Sequence, residues 1–200
     1  MKTVGIVGGS GFTCGELIRI LFNHPKFEIK FIYSLSQSGK YIYDIHSDLL
    51  GKTNMNFTDQ INLDIDVLFL CLGHGKSMAF LNKYDFRKDT IIIDLSSDFR
   101  LSNNKKFKSR NFLYGLPELN REKIKESISI ANPGCFATAI QIGLLPLLNN
   151  NLIKNEVNVS AITRSTGAGM LNTDTNNFNC RNNNLSVYNT FNHQHLDDIY

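Results

Sequence analysis

Residues 3–22 read TVGIVGGSGFTCGELIRILF, and the order of residue types in them decides the fold. Thr3, Val4, Ile6 and Val7 form a short apolar run suited to a strand. Gly8, Gly9, Ser10 and Gly11 follow, and then Leu17, Ile18, Leu21 and Phe22 at helical spacing. Gly5, Gly8 and Gly11 fit GxxGxxG rather than the stricter GxGxxG, but the physics is shared. Glycines permit a tight turn, and the N–H groups that open a helix suit a pyrophosphate. The motif stands directly after a strand and before a helix, the context that gives it weight. Nucleotide binding by Gly8, Ser10, Gly11, Phe12 and Thr13 is the expectation, and a purely structural turn is the competing one. Cys14 falls in the first helical turn and is expected to pack against the glycine loop.

Working outward, residues 28–33 read as the second strand. It runs into Ser34, Ser36, Ser38, Gly39 and Lys40, with no acid at the strand end. An acid there would hold the ribose hydroxyls of NAD and repel a 2'-phosphate. Small hydroxyls and a lysine welcome that phosphate, so Ser36 and Lys40 favour NADP. Residues 41–62 carry no sharp signal. Residues 66–72, DVLFLCL, are nearly unbroken apolar sequence, the mark of a strand covered on both faces of a parallel sheet. A second glycine loop follows, with Gly73 in a cofactor-binding place and His74 either beside a nicotinamide or on open surface. Residues 90–95 read as another buried strand. Arg100, just beyond it, is placed either to fork an anionic substrate group or to pair with Asp98. The basic residues of 105–110 read as solvated surface. Gly115 and Pro117 fix a loop at Tyr114, and residues 120–126 suit a short helix. Together these features predict an α/β chain with a Rossmann-like, parallel-sheet domain over residues 1–150.

The chemistry centres on residues 128–146, ISIANPGCFATAIQIGLLP. A short strand meets an Asn-Pro-Gly turn, and Cys135 opens an apolar helix whose spacing predicts burial of much of its circumference. The N–H groups and positive dipole end of a helix favour a thiolate, whereas apolar crowding alone favours the thiol. A small buried hydrophobe is the plain alternative for such a cysteine. Its place after Pro-Gly, at an element end, raises the case for a nucleophile.

Residues 157–163, VNVSAIT, alternate as a half-buried strand does, so residues 151–200 are read as the start of a second, α+β domain. His193 and His195 would share a face of an extended strand. No third metal ligand is evident beside them. One histidine serving Cys135 as proton donor and acceptor is the more economical reading.

Composition sets limits. Of 200 residues, 42% are hydrophobic and 20% charged, enough for a sizeable core. A net charge of +3 with scattered basic residues offers no phosphate-tracking patch, so no nucleic-acid partner is expected. Four widely spaced cysteines without a CxxC pattern argue against structural zinc. With no signal sequence and no long apolar run, a cytoplasmic protein with free thiols and no membrane partner is expected.

At this point the chain resembles the N-acetyl-gamma-glutamyl-phosphate reductases. The resemblance rests on GIVGGSGFTCGEL (5–17), the Ser36/Lys40 loop, LSSDFRL (95–101), YGLPE (114–118), ANPGCFATA (131–139) and HQHLDDI (193–199), in that order. It implies an NADP-dependent enzyme of arginine biosynthesis that reduces an acyl phosphate, with inorganic phosphate as the other product. Cys135 would be the nucleophile and His195 the acid/base, with Arg100, Tyr114 and His193 on the substrate side. A homo-oligomer is implied for the full-length form. Gly73 stands where the family commonly has proline, Gln194 where it often has arginine, and Asp197-Asp198 where it has Pro-Glu. The family is also longer, so the second domain is expected to be incomplete. The alternatives are a related semialdehyde dehydrogenase of the aspartate or aminoadipate type, and a non-catalytic NADP-binding fragment.

Overall fold

The computed structural model describes residues 1–153, 156–170 and 177–199. Its elements are β1 (Lys2–Val7), α1 (Phe12–Phe22), β2 (Phe27–Tyr33), β3 (Val67–Leu70), α2 (Ser77–Lys83), β4 (Ile91–Asp94), β5 (Lys106–Phe107), β6 (Arg110–Asn111), β7 (Leu113–Tyr114), α3 (Pro117–Glu126), β8 (Ser129–Ala131), α4 (Cys135–Asn149) and α5 (Phe178–Arg181), with single 3₁₀ turns between. The chain divides into two compact units, Met1–Asn132 and Pro133–Tyr200.

The first unit is a six-stranded sheet in the order β2-β1-β3-β4-β8-β7, every pair parallel. β5 and β6 form a separate antiparallel pair. The unbroken apolar runs are explained by burial on both faces. Val7, Phe31, Tyr33, Leu68, Leu70 and Ile92 join one core with Leu81 of α2. Val4, Ile6, Ile32 and Val67 join the other with Cys14, Ile18 and Leu21 of α1. Thr3 and Asp66 fasten the beginnings of β1 and β3, where the Thr3 N–H and hydroxyl both donate to Asp66 Oδ2, at 2.7 and 2.9 Å. From β1 the chain goes to one side for β2 and to the other for β3. The carboxyl ends of β1 and β3 therefore form the switch point at which open α/β sheets bind ligands.

The second unit holds α4, α5 and two 3₁₀ turns, Ser165–Ala168 and Gln194–Leu196. Three features differ from the sequence reading. The division falls before the Cys135 helix, not at residue 150, because that helix packs on the turn at Gln194–Leu196. Residues 157–163 form no strand, and Val157, Val159 and Ile162 are exposed. Alternation makes a strand only where a neighbour completes the hydrogen-bond ladder, and no described segment pairs with this one. In α4 only Ala137 is fully buried, while Ile142, Leu147 and Leu148 are exposed. Its apolar spacing describes a helix without a cover on most of its faces. Pro146 sits inside α4, and Asn150 Nδ2 donates to the Pro146 carbonyl just beyond the helix end. Among the described residues no helix is long and apolar enough to cross a membrane.

Candidate functional site

In the first unit, β1 ends in a turn whose Gly8 and Gly9 N–H groups both donate to the Tyr33 carbonyl, at 3.1 and 3.0 Å. Gly8 has φ +91°, and a Cβ there would lie 2.7 Å from the Cys71 carbonyl carbon and nearer to its oxygen. Only glycine satisfies both the backbone and that approach. The turn delivers the chain to Gly11, the N-cap of α1, which has no side-chain cap and no acid in its first turn. Eleven residues of helix thus present an uncompensated positive end. Ser10 is half-buried, and Phe12 and Thr13 are exposed at this mouth. Ser36 and Lys40 are exposed on the turns after β2. A glycine cradle, a bare helix end, hydroxyls and a lysine fit a phosphate-bearing dinucleotide.

His46 was not foreseen. It is buried and bonds through Nε2 to the Gly9 carbonyl at 2.9 Å, bracing the loop from 37 residues away. No local pattern marks it; a lone histidine in a polar loop is silent in sequence. Cys14 is fully buried, and its thiol is held well above the usual range by a hydrogen bond with Cys71 and by burial. That suits packing, not attack.

The second glycine loop, 73–76, is exposed at the end of β3, and His74 Nδ1 accepts the Ser97 N–H at 3.0 Å. Beneath it Asp94 accepts from the Ser77 and Ser96 hydroxyls at 2.5 and 2.7 Å. Burial raises the Asp94 carboxyl above its ordinary value against the pull of those hydrogen bonds.

Arg100 is 8% exposed, and its Nε and Nη2 donate to the carbonyls of Asn132 and Leu95, each at 2.9 Å. These two donors thus brace the ends of β8 and β4. Asp98 accepts backbone N–H groups of Gly75 and Met78. Tyr114 lies in β7, where its carbonyl accepts from Asn120 Nδ2 at 3.0 Å.

In the second unit, Cys135 is exposed as the first residue of α4, behind a Gly134 N-cap that offers no side-chain bond. His195 is buried against Gly134: a Cβ at Gly134 would lie 2.5 Å from His195 Cδ2 and nearer to Nε2. The imidazole thus packs on the residue that precedes the cysteine. His193 does not lie beside it on a strand. It is the N-cap of the turn Gln194–Leu196, and its Nδ1 accepts the His195 N–H at 3.1 Å. The two rings stand 4.7 Å apart, and Phe136 packs edge-on against both. Two further residues escaped the sequence reading. Asp198 Oδ2 accepts the Gly134 N–H at 3.3 Å, and Gln141 Nε2 donates to the Asp198 carbonyl at 3.0 Å. These bonds tie the cysteine turn and α4 to the histidine turn.

The family model for the semialdehyde dehydrogenase NAD binding domain matches residues 3–127, and that for the semialdehyde dehydrogenase dimerisation domain matches residues 135–200. The seam between them coincides with the division after Asn132. All of the chain aligns with the N-acetyl-gamma-glutamyl-phosphate reductase of Flavobacterium johnsoniae at 54% identity, and with that of Karelsulcia muelleri at 52%. The chain spans 61% of the length of each. Among solved structures, the aspartate semialdehyde dehydrogenase of Candida albicans with NADP matches 76% of this chain, with 48% of its own length covered, at a TM-score of 0.53 and 18% identity. The Francisella tularensis enzyme matches 76%, with 42% of its own length covered, at a TM-score of 0.54 and 19% identity, a likeness of fold. The sequence is similar to the N-acetyl-gamma-glutamyl-phosphate reductases above, and on the match over residues 3–127 the chain belongs to the semialdehyde dehydrogenase family.

Proposed function

We propose that the chain carries the cofactor cradle and the catalytic pair of an NADP-dependent reductase that converts N-acetyl-glutamyl 5-phosphate to N-acetylglutamate 5-semialdehyde. The observation that carries this reading is His195 packed against Gly134, directly before Cys135 at the head of α4. Gly8, Ser10, Gly11, Phe12 and Thr13 hold the pyrophosphate side of the cofactor, Ser36 and Lys40 its 2'-phosphate, and Gly73 lies on the second loop facing the same sheet edge. Bound NADPH supplies the hydride.

The Cys135 thiolate attacks the γ-carbonyl carbon, a C–S bond forms, the C–O bond to phosphate breaks, and inorganic phosphate leaves. Backbone N–H groups that open α4 face the oxygen on which charge develops. His195, holding the proton taken from the Cys135 thiol, would give it to the oxyanion left when the thioester is reduced, and would take it back as the thiohemiacetal collapses to the aldehyde and the thiolate. His193 orients His195 through the bond that caps its turn. Arg100 and Tyr114 shape the substrate end of the first unit. The family model for a dimerisation domain supports a homo-oligomer as the working form.

The test runs the reaction backwards, as phosphate-dependent reduction of NADP by N-acetylglutamate semialdehyde. Cys135→Ala should abolish turnover and leave NADPH binding intact. Undiminished turnover in that variant rejects the reading, and turnover with aspartate semialdehyde in preference assigns a different substrate.

A further inference from the structure

Helix α2 starts without a cap of its own. Lys76 occupies its N-cap position with no side-chain hydrogen bond, and the first turn contains no acid. The loop before it is exposed, and Gly75 stands at φ +79°. The acceptors come from twenty residues further along the chain. Asp98 Oδ1 accepts the Gly75 N–H at 2.6 Å, and Oδ2 accepts the Met78 N–H at 3.1 Å. Asp98 is 9% exposed, and its own N–H donates to Ser96 Oγ at 3.1 Å. Ser96 Oγ in turn donates to Asp94, which also receives the first hydroxyl of α2, Ser77. One carboxylate therefore spans the loop from both sides, and a second anchors it from below.

The place of this loop gives the arrangement a purpose. β3 pairs with β1, and Gly8 rests on the Cys71 carbonyl at the end of β3. The two glycine loops thus leave one edge of the sheet side by side, at the switch point. We propose that Asp98 is a positioning residue for the cofactor: it fixes residues 73–78 so that the second loop meets the nicotinamide half of NADPH, while the first holds the pyrophosphate and Ser36 and Lys40 the adenosine 2'-phosphate. The inference rests on the NADP reading above for the identity of that ligand. A carboxylate is required because both N–H groups need an acceptor. Asparagine keeps the shape but turns an N–H group toward one of the two donors.

The experiment compares the chain with Asp98→Asn using two probes, NADPH and adenosine 2',5'-bisphosphate, which reaches the adenosine side alone. Amide hydrogen exchange is recorded in parallel. Expected are NADPH binding weakened about tenfold, the order set by loss of one charge-assisted hydrogen bond, and bisphosphate binding unchanged within twofold. Exchange should quicken at residues 73–78 and stay level in β3 and β4. Equal weakening of both probes, or faster exchange spread through the sheet, shows a general structural role and overturns the proposal. So does unaltered NADPH binding despite a loosened loop. Failure of the unmodified chain to bind either probe refutes the NADP reading instead, and unchanged exchange at 73–78 overturns the positioning role separately.

Discussion

Gly134→Ala tests the cysteine–histidine arrangement with one added methyl group. Gly134 has φ −68° and ψ 155°, a backbone that alanine adopts without strain. Its N–H remains available to Asp198. What changes is contact: the new Cβ falls 2.5 Å from His195 Cδ2 and 2.7 Å from Cε1, whereas ordinary contact begins at 3.4 Å. The shortfall at Cδ2 is 3.4 − 2.5 = 0.9 Å, and it is larger at Nε2. The imidazole has to retreat by that distance or turn away, against the rings of Phe136 and His193. Displacing a catalytic group by ~1 Å costs ~100-fold in rate, equivalent to ~2.7 kcal/mol in the barrier. The assay is kcat/KM for phosphate-dependent NADP reduction, with NADPH titration and thermal melting as controls. A hundredfold fall with cofactor affinity and melting temperature retained is expected. A value within threefold of the parent would refute the reasoning, because His195 would then not act beside this turn.

Gly8→Ala should do damage of another kind. The positive φ costs ~1–3 kcal/mol by itself, and the Cβ meets backbone rather than a movable side chain, so stability to urea and NADPH affinity should fall together. His46→Ala leaves the Gly9 carbonyl without its buried partner, and urea unfolding should show a loss of ~1–3 kcal/mol. Arg19 grips Asp48 through Nε and Nη2, and this hydrogen bonding lowers the Asp48 carboxyl from 3.8 to about 2. A lowered folded-state value means that the contribution to stability is present above the ordinary value and is lost as pH falls through about 2. Carbon-detected NMR titration should place Asp48 there and find it near its ordinary value in Arg19→Gln. Asp94 runs the other way, since burial raises its carboxyl. The protonated form is the one the fold favours, so its contribution is lost as pH rises through the raised value. Asp94→Asn should flatten that part of the pH–stability profile.

The parts legible in sequence are those whose information is local. A parallel sheet covered on both faces writes itself as unbroken runs such as 66–72, and the glycine turn sits between two periodic elements, so β1 and α1 follow directly. Cys135 was visible because a turn dipeptide places it at an element end. The bracing roles of His46, Asp98 and Asp198 were not, for one shared reason. Each acts on a backbone group far off in the chain: His46 on Gly9, Asp98 on Gly75 and Met78, Asp198 on Gly134. No periodicity records such a partnership. Arg100 is a related case: its position past a strand is legible, but sequence does not reveal that two of its donors reach carbonyls. Residues 157–163 and the exposed sides of α4 show that apolar spacing states which face wants cover and not what supplies it.

The order of strands also constrains how the first unit is assembled. β2, β1, β3 and β4 are all complete once residue 94 exists, and this four-stranded half can form as a growing chain lengthens. β7 is different. It is made before β8 yet reaches the sheet only through it, because β8 lies between β4 and β7. Residues 113–114 therefore have no place to dock until residues 129–131 have been synthesised. The last two strands enter as a pair with α3 between them. The Asn-Pro-Gly turn comes directly after β8, so the segment bearing Cys135 follows the stroke that closes the sheet.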